Sequence, residues 1–372
     1  MSRPAPGFSF IVLIAGGLLA GCAGRSLVEG TRPDTSVESK IDEIVKVQMV
    51  EQGIPGLSLA VVNEGRILYA RGYGTANLEL SVPAASDTVY ALGSITKQFT
   101  AAAILLLVED GKLALDNGIT NYLDGLPAEW AGVTVRHLLT HTSGIRDEDW
   151  IGGRAEFSRR NWKQEEVIKS CFGPLESTPG EKWSYNNAGY RLLGMIIEKT
   201  SGKSFWVFLE ERIFTPLGMT ATRNSDPEAV IPNRSQGYVP SENGYHIRAP
   251  VTPSAAFAEG ALISSVLDLA RWDAALYTNG ILKPSSLEQM TRRAVKIPDY
   301  ACYYGFGWNL YDAYGHKVMD HTGAILGFGA YIGRYTDDKI TVIVLANTED
   351  CDCTPIAKRI TGLYIPALAR RK

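Results

Sequence analysis

The chain has 372 residues, 45% hydrophobic and 21% charged, with a formal net charge of −3. That length allows one large domain or two intimately joined ones, and the composition is ordinary for a globular protein. The charge balance removes any electrostatic case for nucleic-acid binding, and there is no internal repeat or low-complexity block.

Arg3 and the α-amino group form a thin positive region ahead of an apolar run from Phe8 to Ala20. The run has signal-peptide length and is too short for a comfortable transmembrane helix. It ends in Leu19-Ala20-Gly21-Cys22, which resembles the bacterial lipoprotein cleavage box. The resemblance implies lipid on Cys22 as the mature N-terminus. Ala23, where an aspartate would favour inner-membrane retention, implies the outer membrane, facing the periplasm. An ordinary signal peptide cleaved nearby is the alternative. Residues 23–39, polar and carrying Pro33, read as a tether.

Ser39 to Gln52 places Ile41, Ile44, Val45 and Met49 at helical spacing. Gly56–Val62 and Arg66–Tyr73 are β-rich runs joined by the hairpin signal Asn63-Glu64-Gly65. Next comes Ser94-Ile95-Thr96-Lys97, followed by Phe99 to Asp110 with helical periodicity and a stop at Gly111. The segment from Asp116 to about Val295 is mostly helical in pattern, including 135–140, 190–199, 205–213 and 265–277. Strand character returns at 304–310, 327–334 and 339–347, and Thr354 to Leu363 reads as a closing helix. The turn Tyr335-Thr336-Asp337-Asp338 makes the last two strands antiparallel. The predicted architecture is therefore α/β (α+β). Residues 40–115 and 296–372 build one mainly antiparallel sheet flanked by helices, and 116–295 form a mostly helical insertion domain.

Cys171, Cys302, Cys351 and Cys353 remain after Cys22. An exported compartment permits disulfides. Cys351 and Cys353 are too close to pair comfortably with each other, leaving a bond from one of them to Cys302 as an open choice among three pairings. No Cys-x-x-Cys pair suggests metal. His137 and His141, four apart, have Leu138 where a zinc-protease pattern needs glutamate, so capping and core roles are expected.

At the start of a helix, Ser94 and Lys97 share a face, and free backbone N–H groups with partial positive charge suit a nucleophile passing through an oxyanion. Alone the pattern is weak, since Ser-x-x-Lys arises about once by chance in a chain this long. Two further motifs add to it. Pro179-Gly180 turns the chain ahead of Tyr185-Asn186-Asn187, placing Tyr185 and Asn187 on a loop before the helix from Tyr190. His321-Thr322-Gly323-Ala324 precedes Gly327-Phe328-Gly329, where glycines beside a strand admit a close backbone approach. A second Tyr-x-Asn, Tyr277 and Asn279, closes a helix and is assigned to packing and capping. Tyr303 and Trp308 fit core or pocket wall equally.

Ser-x-x-Lys, Tyr-x-Asn and His-Thr-Gly in this order resemble the penicillin-recognising serine hydrolases: class C β-lactamases, DD-carboxypeptidases, D-aminopeptidases and related esterases. The segments at 137–144, 216–219 and 264–272 resemble the same family, from about residue 40 to the C-terminus. The resemblance implies an acyl-Ser94 intermediate with Tyr185 as the base. An ammonium on Lys97 would favour the Tyr185 phenolate. Asn187 would orient Lys97 and bind a substrate amide. The Ser94 and Ala324 N–H groups would form the oxyanion hole, and His321, Thr322 and Gly323 would line the strand edge facing the substrate. No metal or organic cofactor is implied. The partner is a small-molecule or peptide substrate, an amide or ester, with cell-wall D-peptides as one candidate. β-Lactamases usually carry lysine at the position of His321, which is only partly cationic; this argues against efficient β-lactamase activity. A non-catalytic relative that binds wall peptides or senses β-lactams is the alternative from another class.

Overall fold

The computed structural model describes residues 35–148, 151–278 and 280–369. Cys22, most of the tether and Asn279 lie outside the described residues.

Alternating apolar residues build the centre of the molecule. In β1 (Gly56–Asn63), Leu57, Leu59 and Val61 point to one face, and Ala60 and Val62 to the other. β1 pairs with β2 (Arg66–Asn77), which carries β3 (Val82–Pro83) on its outer side. The C-terminal part supplies β4 (Val295–Lys296), β5 (Cys302–Tyr304), β6 (Asn309–Ala313), β7 (His316–Ile325), β8 (Phe328–Tyr335) and β9 (Ile340–Ala346). The nine strands run in the order β3-β2-β1-β9-β8-β7-β6-β5-β4, each pair antiparallel. β1 meets β9 in the register Leu57↔Ala346 to Asn63↔Ile340, so the two chain ends share the middle of the sheet.

Helix α1 (Thr35–Gln52) and the closing helix Thr354–Tyr364 cover one face. Ile41, Val45, Ile356 and Ile360 pack there on Leu59, Val342 and Val344. The other face packs on α2 (Thr96–Glu109), twelve of whose residues are buried, and on the helices of the intervening segment. Among those are α3 (Asn187–Ser201), α4 (Pro253–Gly260) and α5 (Val266–Ala275). One hydrophobic cluster runs from Ala60 and Ile343 in the sheet through Phe99 to Trp130, Leu193 and Phe208.

Several expectations need correction. His316–Ile325 is a ten-residue strand that the sequence pattern did not reveal. The expected strand 304–310 is two strands, β5 and β6, separated by Gly305–Trp308. The segment 116–295 also contains short strands at Arg223–Asn224, Gly237–Ser241, Gly244–Arg248 and Leu262–Ser264. All four described cysteines are free thiols. Cys302 lies on β5, whereas Cys351 abuts Gly329 on β8. Three strand spacings of ~4.8 Å put those strands roughly 14 Å apart, beyond disulfide reach. Trp308 is fully buried in the core, and Tyr303 lies half-buried beneath the Arg293 guanidinium.

Candidate active site

Ser94 sits in a single 3-10 turn, Gly93–Ile95, that runs directly into α2. Gly93 has φ +52°, and a Cβ placed on it would fall 2.7 Å from the Ala324 nitrogen. Glycine therefore lets the backbone ahead of Ser94 press against β7. Gly323 makes the reciprocal approach, since a Cβ there would stand 1.9 Å from the Leu92 carbonyl oxygen. β7 has a free side at this point. Its ladder with β6 ends at Asp320, while its pairing with β8 continues through Thr322↔Tyr331 and Ala324↔Gly329. The stretch after Asp320 thus forms a local edge beside Ser94.

Lys97, the second residue of α2 and one turn on from Ser94, is fully buried. Its ammonium donates to Ser94 Oγ at 3.1 Å, Asn187 Oδ1 at 2.9 Å and the Glu259 carbonyl at 3.0 Å. These bonds use all three of its hydrogens. It also lies 4.8 Å from the centre of the Tyr185 ring, a cation over an aromatic face. Tyr185 is half-buried and rests on His141, with ring centres 4.4 Å apart.

Asn187 is the first residue of α3, not a loop residue, and Asn186 caps the helix by accepting from the Gly189 N–H. The Asp147 carboxylate accepts from the Asn187 and Ala188 N–H groups at 2.8 and 2.9 Å, a favourable place for an anion. This fixes the helix end that aims Asn187 at Lys97. The Glu259 carbonyl reaches Lys97 because α4 breaks at Phe257, whose φ is +30°, a conformation strained for a side-chain-bearing residue.

His321 departs from expectation. It is buried, with its ring centre 6.3 Å from that of Tyr185, whereas Thr322 and Ala324 are exposed on β7. Its Nδ1–H donates to the Thr322 carbonyl at 2.6 Å, so Nε2 accepts from the Tyr304 hydroxyl at 3.1 Å. Burial pushes its pKa down to about 4, and Lys97 adds to that fall. The ring is therefore neutral. Gly323 is likewise buried and permits the close backbone approach. His141 is neutral too, forced well below its ordinary range by burial and Lys97. Its Nδ1 accepts from the Asn186 N–H at 3.0 Å. His137 Nδ1 accepts from the Thr134 N–H within a capping box. Among the described residues no group of His, Cys, Asp or Glu is arranged to hold a metal.

The structure thus brings Ser94, Lys97, Tyr185 and Asn187 together and sets Thr322 and Ala324 on the adjoining edge. Sequence reasoning missed Asp147, Tyr304, Arg191 and Glu259. Arg191 is fully buried on α3 and grips Glu148 through Nε at 2.6 Å and Nη2 at 3.0 Å. A buried arginine at helical spacing from Asn187 was the one signal on offer.

A family model described as Beta-lactamase matches residues 41–354. Penicillin-binding protein 4* of Bacillus subtilis (strain 168) is 32% identical over 310 residues, covering 77% of this chain and 66% of that protein. Protein flp of Staphylococcus aureus (strain N315) is 28% identical over 331 residues, covering 85% of this chain and 64% of that protein. The chain thus spans a little under two thirds of the length of these relatives. Among solved structures, the octameric penicillin-binding protein homologue from Pyrococcus abyssi has a TM-score of 0.79 at 32% identity, covering 88% of this chain and 77% of that one. The D-amino acid amidase from Ochrobactrum anthropi SV3 has a TM-score of 0.78 at 26% identity, covering 89% and 99%. By the span of the family match, and in keeping with these relatives, the chain belongs to the β-lactamase family of serine hydrolases.

Proposed function

We propose that this protein is an envelope-anchored hydrolase that cleaves an amide or ester, a D-amino-acid peptide or a small ester, through an acyl-Ser94 intermediate. The observation that carries the reading is the buried Lys97 ammonium held between Ser94 Oγ and Asn187 Oδ1, beneath the Tyr185 ring. In the proposed cycle, Ser94 Oγ forms a bond to the substrate carbonyl carbon as its proton passes to Tyr185. The carbonyl oxygen becomes an oxyanion facing the Ser94 and Ala324 N–H groups, which would stabilise charge where it develops. Collapse breaks the bond to the leaving group, which takes the proton from Tyr185. Water then attacks the acyl-enzyme with Tyr185 again receiving the proton, and the bond from the acyl carbon to Ser94 Oγ breaks as Oγ takes that proton back. The amidase among the relatives supports an amino-acid amide as substrate.

A class C β-lactamase is the less favoured reading. A β-lactam carries a carboxylate, and the neutral His321 offers it no fixed cation. For the anchor, the support is the run Leu19-Ala20-Gly21-Cys22, and the site of action would be the periplasmic side of the outer membrane.

Hydrolysis of a nitrophenyl ester tests the mechanism. Ser94→Ala should abolish it, and Tyr185→Phe and Lys97→Ala should each slow it by ~10²–10⁴. The Tyr185–Lys97 double variant should be little worse than either single one, because residues acting as a unit lose function non-additively. Multiplying losses would contradict a shared proton-transfer unit.

His321 gives a pH prediction. Its folded pKa, about 4, lies below the ordinary value of 6.5. Between those values the unfolded chain holds the extra proton, so stability rises with pH across the window and falls on acidification. His321→Gln should flatten that slope by about one proton, ~1.4 kcal/mol per pH unit, in denaturant titrations. An unchanged slope would show that His321 is not held neutral.

Metabolic labelling with a palmitate analogue should mark the wild type and not Cys22→Ser. An unlabelled wild type would remove the lipid anchor from the account.

A further inference from the structure

A second cavity continues the one that holds Ser94. Val251, Gly260, Ile325 and Leu326 line both. Gly260 stands against the turn of Ser94, since a Cβ on it would lie 3.7 Å from the Gly93 carbonyl carbon. Among the described residues, the charged side chains lining the second cavity are Arg234 and Arg248, and no carboxylate joins them.

The two arginines differ. Arg248 is paired through its Nε with the Glu349 carboxylate. Arg234 is half-buried, and its Nη1 and Nη2 donate to the backbone carbonyls of Asp226 and Ser225 at 2.7 and 3.2 Å, with no carboxylate partner among the described residues. A guanidinium has five N–H donors and stays ionised, so three donors and an unpaired charge remain. Burial lowers the Arg234 pKa, and the field of Asp226 opposes that fall. The Asp226 carboxylate, however, accepts from the Glu228 N–H and does not line the cavity. A partly desolvated cation without a counter-ion carries a cost that an entering anion would relieve.

The placement of Ser94 decides which half of a substrate reaches Arg234. The leaving group must meet Tyr185 to take its proton, and Tyr185 lies towards the His321 end of the β7 edge, with the two ring centres 6.3 Å apart. The two cavities open past Ala324, at Ile325 and Leu326, and Tyr185 lines neither. An extended acyl group leaving Ser94 along this edge therefore passes Ala324 and Leu326 on its way to Arg234. Val89, Ile263 and Phe328 give its methylenes an apolar wall. We propose that Arg234 is a specificity-determining residue that binds a carboxylate at the far end of the acyl group. The enzyme is thereby directed to amides or esters whose acyl part ends in an acid. The proposal rests on the acyl-Ser94 hydrolase reading and adds a substrate class to it.

The test uses the p-nitrophenyl monoesters of adipic, pimelic and suberic acid, each beside the ester of the same length whose far end is a carboxamide. Rates are taken above those of Ser94→Ala, which removes uncatalysed hydrolysis. At one of these lengths or more, the wild type should prefer the carboxylate by about ten- to a hundredfold in kcat/KM, the range for a charge-assisted hydrogen bond. Arg234→Gln should collapse that ratio towards one by a loss on the carboxylate ester alone, and Arg234→Lys should restore part of it. A merely structural role would slow both esters equally, and an undiminished ratio in Arg234→Gln overturns the proposal. So does a wild type with no preference for the carboxylate at any length. If Arg234→Gln fails to fold, the wild-type ratios decide alone. Failure of the underlying reading is seen separately, as no turnover of any ester or as turnover that survives Ser94→Ala.

Discussion

A lysine held out of water is tolerated only when each of its hydrogens finds an acceptor. Lys97 meets that condition with the Ser94 hydroxyl, the Asn187 amide oxygen and the Glu259 carbonyl, which stand 3, 90 and 162 residues away in the chain. Satisfying one charge therefore sets the start of α2, the start of α3 and the broken end of α4 against each other. Asp147 locks α3 in that position through two backbone N–H groups, and the unusual backbone at Phe257 turns α4 to deliver its carbonyl.

The sheet supplies the fourth side. β7 leaves its partner β6 at Asp320, and the freed edge meets the turn that carries Ser94. Gly93 and Gly323 allow two backbones to touch where any side chain would collide. His321 ties the Thr322 carbonyl to the Tyr304 hydroxyl in a fixed tautomer. Its neutrality spares the buried Lys97 a second positive charge. Packing and electrostatics thus serve the same end, a single cation poised under the Ser94 hydroxyl.

Much of this was legible in the residues. β-rich apolar runs marked β1 and β9, which are buried on both faces, and helical spacing marked α1 and α2, where burial on one side imposes that period. Ser94, Lys97, Tyr185 and Asn187 were found by their motifs. β7 escaped because Asp320 and His321 break its apolar pattern. Asp320 is buried with Tyr311, Tyr331 and Asn309 donating to it from neighbouring strands, and no local signal announces such partners. Asp147 and Glu259 escaped for the same reason: their roles come from contacts with residues 40 to 162 positions away. The burial of His321 was not announced either, since alternation along a strand decides which side chains see solvent and the motif alone does not.

The central claim is a covalent bond between Ser94 and the acyl half of the substrate. Rapid acid quench during turnover of a slow ester, followed by intact mass measurement and peptide mapping, tests it most directly. The account predicts a mass gain equal to the acyl group, located on the peptide containing Ser94 and lost in Ser94→Ala. Turnover with no adduct at any quench time and no burst of leaving group, or an adduct on another residue, would contradict it.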